Sequence, residues 1–174
     1  MRNTMGHKGI RVLFAACAGG AAIGAMALFG GGDASAGTHC SAADNDRVQR
    51  EAGQSVCIAN AGPGSRAEAE DTSNSGAAVA VGATGGSATS KNLQPGSQAM
   101  SSAARGGNSY SVTTGPKATS IAMARDGGTS VAVGGWGGQA YAGPQGAVCS
   151  GGFGAAWDST TGKYCVKSGA IDLH

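Results

Sequence analysis

Glu68, Glu70 and Asp71 lie close together, and Asp44 and Asp46 form a second acidic group. Paired carboxylates can carry out glycoside hydrolysis, one as acid and the other as base or nucleophile. Acidic groups can also hold calcium, but neither the EF-hand loop nor the Gly-rich nonapeptide occurs around these residues. Both groups therefore read as solvated charged faces, with a secreted carboxylate hydrolase as the alternative. Of the three histidines, His7 falls in an expected signal segment, and His39 and His174 would stand near opposite ends of the mature chain, which argues against a Ser-His-Asp or Cys-His arrangement. No G-x-S-x-G elbow or Walker loop occurs. Gly62-Pro63-Gly64-Ser65-Arg66-Ala67 loosely matches a dinucleotide turn, but without a βαβ frame it reads as a corner. The expectation is a protein that is not an enzyme, with no catalytic residues, metal or cofactor. Its candidate binding surface is aromatic: Trp136, Tyr141, Trp157 and Tyr164.

The compartment follows from the first residues. Arg2, His7, Lys8 and Arg11 precede the uncharged apolar run Val12 to Phe29, and Ala34-Ser35-Ala36 supplies a small-residue cleavage site. That order predicts a secretory signal over residues 1–36, whose cleavage would leave no stable membrane anchor; an uncleaved signal anchor is the alternative. Cys40, Cys57, Cys149 and Cys165 follow it, an even set that reads as two disulfides in a secreted or envelope protein. Four cysteines allow three connectivities. Cys40–Cys57 and Cys149–Cys165 are favoured, because each closes a short loop and together they bracket the middle of the chain.

Removing Arg2, Lys8, Arg11 and Asp33 from the twelve cations and ten anions leaves nine of each. A neutral chain lacks the electrostatic drive for nucleic-acid binding, so no such partner is expected. In that remaining segment large aliphatic residues and Phe are scarce and Gly abounds, so a conventional core is not expected.

What replaces it is a beat. Gly64, Gly85, Gly106 and Gly127 stand 21 apart, as do the turn formers Asn74, Pro95, Pro116 and Gly137. Between them run alternating segments such as Ser130-Val131-Ala132-Val133. One column of the aligned rows reads Val79, Met100, Ile121 and Ala142; others read Glu68, Thr89, Tyr110, Val131 and Glu70, Lys91, Val112, Val133. Alternation of this kind predicts strands with one face buried. The columns predict an all-β fold: a short β-solenoid or β-roll of about four coils, with Glu70 set to pair with Lys91. An antiparallel meander and a largely disordered chain are the alternatives. The outward surface is expected to be flat and made of Ala, Ser, Gly and Thr.

The phrases Gly76-Ala77-Ala78-Val79-Ala80-Val81-Gly82 and Ala122 to Gly134 resemble the head repeats of trimeric autotransporter adhesins. That resemblance implies a parallel β-roll, although those heads repeat at a shorter period. The chain as a whole resembles small exported Ala/Gly-rich actinobacterial proteins of uncharacterised function. The expected organisation is a signal (1–36), an N-terminal cap (37–63), Gly-phased repeats (64–147) and a C-terminal hairpin cap (148–174). Within the last, Trp157 and Tyr164 are expected to cross-pair and pack over the solenoid end. The expected role is adhesion, scaffolding or self-association at the cell envelope, with a cell-envelope or host surface component as partner. A ligand or inhibitor module centred on the Trp157 hairpin is a further alternative.

Overall fold

The computed structural model describes residues 37–174; the expected signal lies outside the described residues. Two sheet faces stand back to back. The first carries β1 (Thr38–Ala43), β4 (Arg66–Asp71), β6 (Ser87–Asn92), β8 (Asn108–Thr113) and the opening half of β10 (Thr129–Gly143). The second carries β2 (Arg47–Ala52), β3 (Gln54–Ala61), β5 (Ser75–Ala83), β7 (Ser97–Ala104), β9 (Thr119–Arg125) and the closing half of β10. β11 (Gly146–Asp158) returns antiparallel along β10, and β12 (Tyr164–Ser168) and β13 (Ile171–Leu173) extend the first face from its second half. The fold is a β-solenoid of about four turns, closed at each end by antiparallel strands.

Parallel neighbours are offset by the 21-residue beat. Arg66, Ser87, Asn108 and Thr129 align on the first face. On the second the stack already begins at β3, where Gln54 aligns with Ser75. The last coil breaks step, because Thr119 aligns with Gln139, only 20 residues on. Tyr141, not Ala142, therefore stands over Ile121, which corrects the fourth row of the sequence column. The cause is the corner. Residues 114–118 separate β8 from β9, whereas β10 rounds the equivalent bend in residues 135–138, with Trp136 and Gly137 at positive φ.

The opposite corners explain the phased glycines. Thr84-Gly85, Arg105-Gly106 and Asp126-Gly127 all have positive φ, the signature of type I′ turns. Gly86, Gly107 and Gly128 close these turns by donating to Ala83, Ala104 and Arg125. A Cβ on Gly86 would lie 2.4 Å from the Ala103 carbonyl oxygen of the next coil, so the second glycine is steric. The coils also stitch together here: the Gly106 N–H donates to Thr84 O at 3.2 Å and the Gly127 N–H to Arg105 O at 3.0 Å.

The alternation is inverted relative to expectation. Ala78, Ala80, Ala99, Ser101, Ser120, Ala122, Ser130 and Ala132 point inward and are buried; Val79, Met100, Ile121 and Val131 point outward. The largest wholly enclosed side chains are Asn92, Thr113, Asp71 and Asp158. The predicted outer surface of small residues is thus the interior. The reason is width. The Ser111 hydroxyl on β8 reaches the Ser120 carbonyl on β9 at 2.8 Å, so one short side chain spans the gap. Both expected disulfides cross the same gap: Cys40–Cys57 joins β1 to β3, and Cys149–Cys165 joins β11 to β12. Loops of this size stabilise by about 3 kcal/mol each on the chain-entropy model.

Two outcomes follow from this geometry. Ala122→Leu should lower the midpoint of thermal unfolding, an overpacking cost of about 1–3 kcal/mol or more, while the neighbouring outward change Ile121→Thr should cost much less; circular dichroism melts would compare them. At the corner, Arg105 Nη2 donates to Asp126 at 2.9 Å. This hydrogen bond, above all, holds the Asp126 carboxyl below its ordinary 3.8. A depressed carboxyl contributes stability above its unfolded value and loses it as pH falls through the folded value. Melts taken from pH 5 to 2 should therefore show a shallower acid decline in Asp126→Asn than in the parent protein.

Candidate functional site

The outer side of the first face is graded. One line of cross-strand neighbours runs Ser41, Glu68, Thr89, Tyr110, Val131, Trp157 and Tyr164. Its early rows are polar, and beside them Lys91 and Glu70 form an ion pair at 2.9 Å, as the columns anticipate. The hydrogen bond that Lys91 donates to Glu70, above all, raises the Lys91 pKa. Later rows are apolar and open. Tyr110 is 42% exposed, Trp157 44% and Tyr164 53%, with Val112 and Val133 alongside. Two strand spacings, about 9.6 Å, separate Tyr110 from Trp157, and Tyr164 pairs with Trp157 across the hairpin. The pairing matches expectation but the placement does not: both rings lie on the outward sheet face, because the interior admits no ring.

The other two aromatics lie elsewhere. Trp136 stands on the corner at φ 44°, its ring edge-on to Phe153 with centroids 6.2 Å apart. Tyr141 is on the second face, where its hydroxyl donates to Met123 Sδ at 3.9 Å and burial pushes its pKa up. There it belongs to a different line: Ile58, Val79, Met100, Ile121, Tyr141 and Val148. The aromatic set therefore divides, and Tyr110 joins the Trp157–Tyr164 pair. Its phased column hints at this, but the alignment depends on β11 turning back along β10.

The carboxylates divide too. Glu68 and Glu70 lie on the open outer face, and Asp44 accepts from the Gly64 N–H at 3.1 Å in a corner. Asp71 is fully buried. It accepts from the hydroxyls of Ser55 and Ser73, each at 2.6 Å, from the Ser73 N–H at 2.9 Å and from Asn92 Nδ2 at 3.0 Å. Asn92 Oδ1 in turn accepts from the Thr113 hydroxyl. Asp71, Asn92 and Thr113 are 21 apart, a polar ladder through three coils that sequence reading missed. Asp158 has the matching place at the far end, accepting from the Ser130 hydroxyl at 2.6 Å and from Thr161 at 2.8 Å.

His39 lies beside Glu70 on β1, and His174 lies 3.2 Å from Asp172 near β13. Among the described residues, no three of His, Cys, Asp and Glu converge as a metal site. An open groove of about 580 Å³ runs past Val148, Cys149, Lys163, Tyr164, Cys165 and His174 at the C-terminal mouth.

A model for a family of unknown function, DUF6764, matches residues 5–168, and the chain belongs to that family. No curated protein and no solved structure matches it. Neither the adhesin-head resemblance nor the actinobacterial one gains support from these comparisons.

The buried ladder gives a direct measurement. Asp71→Ala would strand several buried donors, at about 1–3 kcal/mol for each unsatisfied group. Denaturant unfolding should show a loss of at least about 3 kcal/mol for Asp71→Ala, against at most about 0.5 kcal/mol for the outward Glu68→Ala.

Proposed function

We propose that this family member is a non-enzymatic, exported scaffold that acts in adhesion or self-association at the cell envelope through its outer sheet faces. The observation that carries the reading is the open row of Tyr110, Val131, Trp157 and Tyr164 on the first face. Rings held on paired strands lose little freedom on binding, and Tyr and Trp supply much contact area per residue. The two disulfides fit an oxidising, extracytoplasmic setting.

The hydrolase reading is less well supported. Glu68 and Glu70 stand on an open sheet, and Glu70 is engaged with Lys91, whereas a general acid needs a site that shifts its pKa. A ligand module around the Trp157 hairpin keeps a specific point in its favour: the groove runs directly past Tyr164.

Fractionation of the producing cells, with the protein quantified in envelope and medium, tests the proposal. The double variant Trp157→Ala/Tyr164→Ala should shift the protein from envelope to medium by about tenfold, equivalent to losing one strong anchor. Circular dichroism and both disulfides should be unchanged. Undiminished retention of a folded double variant would sink the reading.

A further inference from the structure

The second face differs from the first in one respect that matters for association. From β3 to the closing half of β10, its outward residues are uncharged, with Arg125 only at the rim. Down the middle runs the line Ile58, Val79, Met100, Ile121, Tyr141 and Val148. Charge depletion with Met and aromatic enrichment is the compositional mark of an interface centre. Charges return only on β2, where Arg47 lies beside Asn60 and Glu51 beside Val56, on opposite sides of the line.

We propose that this face binds a second copy of the chain in a side-by-side dimer, with the two-fold axis running along the apolar line. That symmetry sets the line against itself and exchanges its two flanks. Thr119 then meets Met123 of the second copy, and Gln98 meets Ser102, a small or polar group against its complement. Arg47 meets Glu51 of the second copy, twice over, because an isologous contact repeats every pair. In the single chain neither Arg47 nor Glu51 forms an ion pair among the described residues; Glu51 accepts only from Gln49, at 3.0 Å.

The area suffices. The strands from β2 to β11 on this face span about 29 Å, and each presents roughly 17–20 Å of length. Two such faces remove about 1,000 Å² or more, the lower bound for a specific interface. The reversed alternative, with the axis along the strands, would carry β2 past β11 and leave its charges unmatched.

The dimer rests on the outer-face reading above and names the partner for one face. Sedimentation velocity of the oxidised full-length product, over a range of concentrations, should show a dimer. Met100→Glu should yield a folded monomer. Arg47→Glu or Glu51→Arg alone should raise the dissociation constant about tenfold by setting like charges against each other. The double swap Arg47→Glu/Glu51→Arg should return it to within about threefold of the parent. A parent that stays monomeric, a dimer indifferent to Met100→Glu, or a double swap no better than either single change would each overturn the proposal. A monomer still retained on the envelope through Trp157 and Tyr164 overturns the dimer alone and leaves the broader function standing.

Discussion

Everything in this molecule depends on how close the two sheets lie. Stacked sheets are ordinarily about 10 Å apart, with interdigitating side chains filling the space. Here the Cα atoms of each bridging cysteine pair are 5.8 Å apart, and Ser111 spans the interior to Ser120 with one hydroxyl. Only a hydrogen, a methyl or a hydroxymethyl fits at most inward positions. From this one limit follow the alanine core and the exile of Val, Ile, Met and the aromatics to the outside.

A core so poor in large side chains needs other sources of cohesion. Burying an alanine methyl yields far less than burying leucine. Backbone pairing along both faces is regular and nearly unbroken, and each corner adds coil-to-coil bonds such as Gly127 to Arg105. The buried Asp71–Asn92–Thr113 ladder works in the same direction. Each member satisfies the next, so polar groups that would be costly alone are mutually partnered. The two disulfides act where this logic fails, at the terminal coils that have a neighbour on one side only.

Much of this was legible as spacing. The phased glycines mark real corners, the cysteines pair within each cap, Glu70 meets Lys91, and Trp157 faces Tyr164 across a hairpin. Direction was not legible. Alternation says that Ala80 and Val81 lie on opposite sides of a strand, but not which side is enclosed. The usual rule, large apolar residues inward, presumes a space wide enough to hold them. The short last coil is hidden for another reason: Gly137 still falls 21 after Pro116 and donates to its carbonyl, and the residue is lost only beyond it, so the turn signal keeps its phase while Tyr141 stands one place out of step. In sequence Asp71 reads as part of a solvated acidic cluster, because its partners, Ser55 and Asn92, come from neighbouring coils.

The inversion also bears on how such a chain acquires function. Inward positions are nearly interchangeable from coil to coil, since only small groups fit, whereas outward positions carry no such restriction. Changing an outward column alters surface chemistry along a whole line without disturbing the enclosed side of the same strands. The two faces illustrate this independence. One passes from Glu68 and Lys91 to Tyr110 and Trp157 within a few strands, while the other stays uncharged over the same coils. Because the backbone is continuous between faces, each coil contributes one row to both, and row order along the axis is fixed by chain order. A solenoid built on this narrow interior can thus hold two unlike recognition surfaces rigidly back to back, with neither depending on the composition of the other.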